Sequence, residues 1–235
     1  MRKKPLYRTP PAGGSAAPGS KGERTRALIL ETALEMFGER GYEETTMRAI
    51  AEKAGVALGN AYYHFRSKEH LIQAYYDRMQ EIHWESCADA LKKERTLKGR
   101  LLGVMRQMLE DMAPYHQFAG ILFKTAADPQ SPLNPFSPES ERARRAAIEL
   151  FAEVVKGART RIPPDLAKEL PTLLWMYHMG ITLFWIHDNS PGQSKTRRLA
   201  EQSAEIVARL IQLASLPPMR PLRKSILKML ADLRE

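Results

Sequence analysis

The stretch AYYHFRSKEH, residues 61–70, concentrates side chains that suit one piece of chemistry. A tyrosine hydroxyl (Tyr63) and an imidazole (His64) can donate to phosphate oxygens without sequence preference. Lys68 follows Ser67, a good helix N-cap residue. A phosphate placed there meets an ammonium group and free helix amides together. Tyr62 and Phe65 are three apart, so the spacing predicts that both face a small core while Tyr63 and His64 point outward. Other chemistries find no support in the sequence. It has no glycine-rich phosphate loop, no nucleophile elbow, no H-x-x-x-H and no H-E-x-x-H. Cys87 is the only cysteine, which excludes an intrachain disulfide and a thiolate metal cluster. His116, His178 and His187 are too dispersed to suggest a metal site. No metal, no cofactor and no catalysis are expected.

The elements that must position these groups read as helices. No window sustains the period-2 pattern of a strand, and the expected class is all-α. Ser20 and Glu23 have capping-box spacing, followed by apolar positions at Ala27, Leu30, Leu34 and Phe37. Gly41 is suited to stop that first helix in a left-handed conformation. Thr45 or Thr46 caps a second helix whose inner side is Ile50, Ala51 and Ala54. Gly55 ends it, and a third short helix spans about 58–64. Small Ala51 permits close crossing and Gly55 a sharp turn, which is the helix-turn-helix arrangement. Ser67 then opens a long helix reaching about residue 93. More helices are expected at 97–112, 115–126, 139–160, 167–187 and 195–215, with a short basic amphipathic one at 222–233. The proline-rich run DPQSPLNPFSPES must be a loop. The expected organisation is a basic tail at 1–20, a helix-turn-helix unit at 21–67, a helical body at 68–215 and a short helix or tail at 216–235.

The 235 residues carry a formal net charge of +9, which suits a polyanionic partner, nucleic acid or an anionic membrane surface. No apolar run approaches the roughly 20 residues that span a bilayer. No membrane partner and a cytoplasmic location are expected. The opening segment has too little to bury to fold by itself. It is either a solubilising tail or a basic arm whose Arg2, Lys3, Lys4 and Arg8 touch DNA.

The run TTMRAIAEKAGVALGNAYYHFRSKEHLI closely resembles the N-terminal signature of the tetracycline-repressor (TetR) family of transcriptional regulators. The shared features are Thr45-Thr46, Ile50-Ala51, Ala54-Gly55-Val56, Gly59, Tyr62, His64-Phe65, Lys68-Glu69 and Leu71. The likeness is dense over residues 24–72. It implies that Thr46 and Arg48 approach the DNA backbone at the start of the second helix, with Arg48 within reach of a base edge. It places Leu58, Gly59 and Asn60 at the groove-facing start of the third, and Tyr63, His64 and Lys68 on phosphates. Ala57 departs from the pattern, because the family usually has serine or threonine there and the helix loses a cap. Asn60 stands where threonine is common; it either reads an adenine or is merely polar and exposed.

In the larger half, Leu174, Ile181 and Trp185 mark one long helix, and Leu199, Ile206, Leu210 and Leu213 another. They fill a single-chain core or, as the resemblance implies, pair with their copies in a homodimer. A dimer reads two half-sites about one helical turn apart, or multiples of it. Trp84, Met108, Met112, Phe118, Phe123, Trp175 and His178 are the candidate lining of an effector pocket that the resemblance implies; otherwise they are core. The reading that follows is a dimeric regulator, most simply a repressor. It binds a palindromic operator in double-stranded DNA and is released by an unidentified small apolar or aromatic effector. The alternatives are an activator or non-induced DNA-binding protein of the same fold, or a helical ligand or interaction protein with a silent helix-turn-helix.

Overall fold

The computed structural model describes residues 20–232. The basic arm with Arg2, Lys3, Lys4 and Arg8 lies outside the described residues, as does Leu233. Ten α-helices form among the described residues: α1 (Lys21–Arg40), α2 (Met47–Lys53), α3 (Leu58–His64), α4 (Lys68–Lys93), α5 (Leu97–Met112), α6 (His116–Ala126), α7 (Glu141–Lys156), α8 (Pro164–Ile186), α9 (Ser194–Ala214) and α10 (Arg220–Asp232). The class is all-α, with an N-terminal helix-turn-helix joined to a helical C-terminal part. Two boundaries shift from the sequence expectation. α8 begins at Pro164, because a proline at the first helical position has no amide to lose. α7 stops at Lys156, where Gly157 follows.

The chain divides into two compact units, and α4 runs from one into the other. The first holds the residues up to Met79 together with Met112–Arg144. It is larger than the 21–67 head expected from sequence, because α6 and the proline-rich loop pack with the head. Phe118 of α6 lies between two rings, 6.1 Å from Phe37 of α1 and 5.3 Å from Tyr75 of α4. The loop is held to α4 by Gln73, which donates to the Pro132 carbonyl at 2.7 Å, and by Tyr76, which donates to the Leu133 carbonyl at 3.1 Å.

The second unit holds Gln80–Asp111 and the chain from Arg145 onward. Its α8 and α9 pack together, and Leu174, Ile181 and Trp185 of α8 and Ala200, Ala204, Ala208 and Ile211 of α9 are all buried. Arg100 is buried here and acts as a clamp on two helix ends. Its guanidinium donates to the carbonyls of Val154 at 2.9 Å and Glu153 at 2.6 Å at the end of α7. It donates also to those of Leu91 and Glu94 at the end of α4, the latter at 3.0 Å. Carbonyls at a helix C-terminus have no partner within the helix, and a planar fork of donors serves several of them at once. Arg223 clamps α10 in the same way, through Asp165 at 3.0 Å and the Ala214 carbonyl at 2.7 Å.

Candidate nucleic-acid interface

The interface is built on the first unit. The capping box forms as expected: the Ser20 hydroxyl accepts from the Glu23 amide and the Glu23 carboxylate from the Ser20 amide. α1 ends at Gly41, whose φ of 93° suits glycine but whose ψ of 161° is extended rather than left-handed helical. The two threonines that follow divide the work. Thr45 is buried and donates to the Gly41 carbonyl at 2.8 Å, which pins the turn. Thr46 is the N-cap of α2, accepting from the Ala49 amide at 3.2 Å. Gly55 takes φ 68° between α2 and α3, and the Val56 amide closes the turn on the Ala51 carbonyl at 3.0 Å. Ala57 is the N-cap of α3 and gives it no side-chain cap.

With only seven residues, α3 has room for one narrow inner face. Ala61 and Phe65 supply it, four apart and both buried, and the Arg26 guanidinium lies 4.8 Å above the Phe65 ring. Tyr62 therefore corrects the expectation that it shares the core with Phe65. It sits one residue past Ala61, about 100° round the helix, and is 47% exposed. Tyr63 is 83% exposed, with the His64 ring edge-on at 5.2 Å. Thr46, Arg48, Gly59 and Asn60 are exposed and Leu58 is half-buried. Among the described residues, the side chains of Arg48, Asn60 and Tyr63 are held by no hydrogen bond or ion pair.

Lys68 is less open than the sequence suggested. Its ammonium donates to the Tyr42 carbonyl at 2.6 Å and lies 4.3 Å from the centre of the Tyr42 ring. The Tyr42 hydroxyl in turn donates to Glu69 at 2.8 Å. Burial alone would raise the Glu69 carboxyl, but hydrogen bonds from Ser67, its own amide and Tyr42 hold it below the usual range. The start of α4 is thus bolted to the turn after α1. A cleft of ≈ 340 Å³ opens beside this bolt, lined by Thr45, Thr46, Met47, Tyr62, Arg66, Ser67, Lys68 and Glu69. Arg66 is a cation that the sequence reading missed. Its position between the buried Phe65 and the Ser67 cap was the available signal.

The other candidate residues divide between the two units. In the first, Met112 and Phe118 are buried and Phe123 is half-buried. Phe118 is part of the ring stack that holds α1, so its first role is packing. In the second, Met108, Trp175 and His178 are buried, whereas Trp84 is 36% exposed. Leu174, Ile181 and Trp185, expected either in a single-chain core or in a subunit interface, are buried within the single chain. Leu199 is half-buried, and Ile206, Leu210 and Leu213 are exposed. The stripe that α8 leaves uncovered consists of Met176, Leu183 and Phe184. Among the described residues no group of side chains could hold a metal ion, and no helix is long and apolar enough to cross a membrane.

Comparison with known proteins agrees with this architecture. Residues 29–75 match the model of bacterial regulatory proteins of the tetR family, and residues 100–228 match that of the tetracyclin repressor-like C-terminal domain. The repressor AcnR of Corynebacterium glutamicum is 35% identical over 157 residues, which is 65% of this chain and 78% of that protein. The probable regulator ArpR of Pseudomonas putida is 42% identical over 87 residues, 37% of this chain and only 40% of ArpR. The match therefore spans less than half the length of ArpR. A solved TetR regulator from Nitrosomonas europaea shares the fold with a TM-score of 0.61 at 19% identity, covering 79% of this chain and 98% of that one. More than half of the chain fits the C-terminal model, the helix-turn-helix fits the N-terminal one, and the protein belongs to the TetR family of bacterial transcriptional regulators.

Proposed function

We propose that this protein is a dimeric repressor that occupies an operator in double-stranded DNA and is released by a small, mainly apolar effector. The observation that carries the reading is the exposed, unpaired set Arg48, Asn60 and Tyr63 on a head whose inner face is fully packed. Thr46 and Arg48 meet the backbone at the start of α2. Leu58, Gly59 and Asn60 enter the major groove. Tyr63, His64 and Arg66 donate to phosphates flanking it. Lys68 adds positive charge beside the cleft while it holds the turn after α1. In this reading residues 21–67 bind DNA and residues 68–215 bind effector and partner subunit.

One α3 covers too few bases to find a site in a genome, so two heads must be joined. The uncovered apolar stripes of α8 (Met176, Leu183, Phe184) and α9 (Ile206, Leu210, Leu213) are the faces that a second copy covers. The first unit contains a route from body to head: α6 grips α1 through Phe118 and Phe37, and α4 grips the α1–α2 turn through Lys68 and Glu69. A ligand that shifts α4 or α6 moves the head with it, provided it binds the two states unequally. AcnR carries the name of a repressor, which supports repression as the mode.

Electrophoretic mobility shift with the DNA flanking the protein's own gene tests the reading. The expected result is a discrete complex that survives an excess of random DNA at moderate salt. Binding no stronger than to random DNA would overturn it.

A further inference from the structure

The positive charge of the chain is not concentrated in the head. Residues 21–67 hold seven lysines and arginines against seven glutamates. Two short segments of the second unit, 92–100 and 156–161, hold eight lysines and arginines against Glu94 alone. The fold brings these segments together. Arg100 donates to carbonyls at the ends of both α4 and α7, and the Arg159 amide donates to the Arg95 carbonyl at 2.8 Å. Gly157 leaves room for the Arg100 guanidinium, which a side chain at that position would strike.

The cations around Arg100 fall into two sets. Lys93, Lys98 and Lys156 have carboxylate partners: Asp89 at 3.9 Å, Glu205 at 3.0 Å and Glu153 at 3.2 Å. Lys92, Arg95, Arg159 and Arg161 are exposed, and among the described residues their side chains have no hydrogen bond or ion pair. Lys92 lies in the last turn of α4, where a cation complements the helix dipole. Arg95 and Arg159 lie past their helix ends, where that effect has faded, and Arg161 precedes the positive end of α8. Burial, and then the like charge of Arg95, push the Arg100 guanidinium below its ordinary value. Unpaired like charges gathered on one surface work against the folded state, so their use is to be sought in a partner.

The surface offers charge without an apolar anchor. Among the described residues, none of the exposed large apolar side chains lies in either segment. A protein partner would be held by a buried aromatic or aliphatic anchor, and a membrane-bound surface would insert apolar side chains. A phosphodiester backbone needs neither, because its affinity comes from released counterions and the arginine fork matches phosphate oxygens. Duplex DNA is the polyanion on which a transcriptional regulator works. We propose that Arg95, Arg159 and Arg161, with Lys92 beside them, form a second nucleic-acid contact, a surface of the second unit that holds the phosphate backbone of double-stranded DNA whatever its sequence and separately from the head.

The test uses the full chain with the head disabled by Arg48→Glu and Arg66→Glu, and a fluorescent duplex of random sequence. Anisotropy is measured from about 0.05 to 0.2 M salt, where phosphate contacts show as a slope of affinity against salt. The head-disabled protein is expected to bind the duplex. Adding Arg95→Gln, Arg159→Gln and Arg161→Gln together should weaken it roughly 10²-fold near 0.1 M salt and lower the slope by about 2–3. Each substitution alone should lower the slope by about 1, and none should change the melting temperature, because these side chains hold nothing in their own chain. A matched triple on α10, with Arg220, Lys224 and Lys228 each changed to Gln, removes the same charge and should stay within about threefold of the head-disabled protein. No binding by the head-disabled protein, or equal losses in the two triples, would overturn the inference. So would tighter binding of poly-glutamate or of phosphatidylglycerol vesicles than of the duplex, which would make the partner an acidic protein or a membrane. No operator is used, so a parent that ignores its operator would remove the repressor reading and leave this result standing.

Discussion

The Tyr63 hydroxyl and the His178 imidazole show how differently two polar side chains can be used. Tyr63 is 83% exposed, and its hydroxyl makes no hydrogen bond within the described residues. Tyr63→Phe should leave the melting temperature unchanged and weaken operator binding by the dimer roughly thirtyfold, the effect of two lost phosphate hydrogen bonds, one per subunit, of about 1 kcal/mol each. Fluorescence anisotropy with labelled operator measures it, and the loss should be equal for every operator sequence, because phosphate carries no base identity. His178 acts on stability instead. The unfolded chain binds a proton at that imidazole below its ordinary value of 6.5, whereas the folded chain holds it neutral down to about 3. The unfolded state therefore carries more protons in that window. Stability is full above 6.5 and falls with pH below it, by at most about 1.4 kcal/mol per pH unit. Urea unfolding at pH 6.5 and pH 5 should show the loss in the parent and not in His178→Phe. Glu69 and Asp111, whose carboxyls lie below the usual range, lose their contribution only at lower pH.

Among the elements, the weak points are the short ones. α2 and α3 have seven residues each and would not persist as free peptides. α2 is fixed by the Thr46 cap and by Lys53, which pairs with Glu35 and Glu39 of α1 at 3.1 and 3.2 Å. α3 lacks the matching cap at Ala57 and relies on Ala61 and Phe65. Ala57→Ser should supply a hydroxyl acceptor for the Gly59 or Asn60 amide and stabilise the fold by about 1 kcal/mol. The midpoint of urea unfolding would rise. Operator affinity should stay equal or improve, since the groove-facing end of α3 would be better ordered. A fall in stability would show that the backbone at Ala57 is held for another reason. α4, at 26 residues, is the opposite case, long enough to contribute to both units.

At the scale of the molecule, the apolar stripes of α8 and α9 decide whether two heads can act together. Leu210→Glu places a charge at a position that is 57% exposed in the single chain and covered in the proposed dimer. The variant should fold, elute as a monomer in light-scattering chromatography, and lose operator affinity by roughly 10²-fold through loss of the second half-site. A buried neighbour gives the contrast. Leu174→Ala should unfold the protein by about 2–5 kcal/mol whatever its oligomeric state, because Leu174 packs inside its own chain. If Leu210→Glu remained dimeric, the subunit contact would have to lie elsewhere.

The helix-turn-helix was legible in the residues themselves. Its elements are short, its turns need glycine at Gly41 and Gly55, and its caps are local hydrogen bonds, so interactions a few positions apart determine it. That one of the two threonines caps α2 follows from type and spacing, but only the fold assigns the cap to Thr46 and gives Thr45 to the Gly41 carbonyl; the missing cap at Ala57 came from the likeness to the family. Which face of each helix turns inward did not. Tyr62 and Phe65 look equivalent at spacing three, and only the docking of α3 under Arg26 selects Ala61 and Phe65. Leu174 and Leu210 are the same amino acid on helices with apolar residues on several sides, and periodicity cannot say which stripe the chain covers with its own residues. Lys68 reads as a free cation until the Tyr42 carbonyl is brought to it from 26 positions away. Local chemistry settled the elements, whereas burial and pairing depend on contacts between distant segments that exist only in the folded chain.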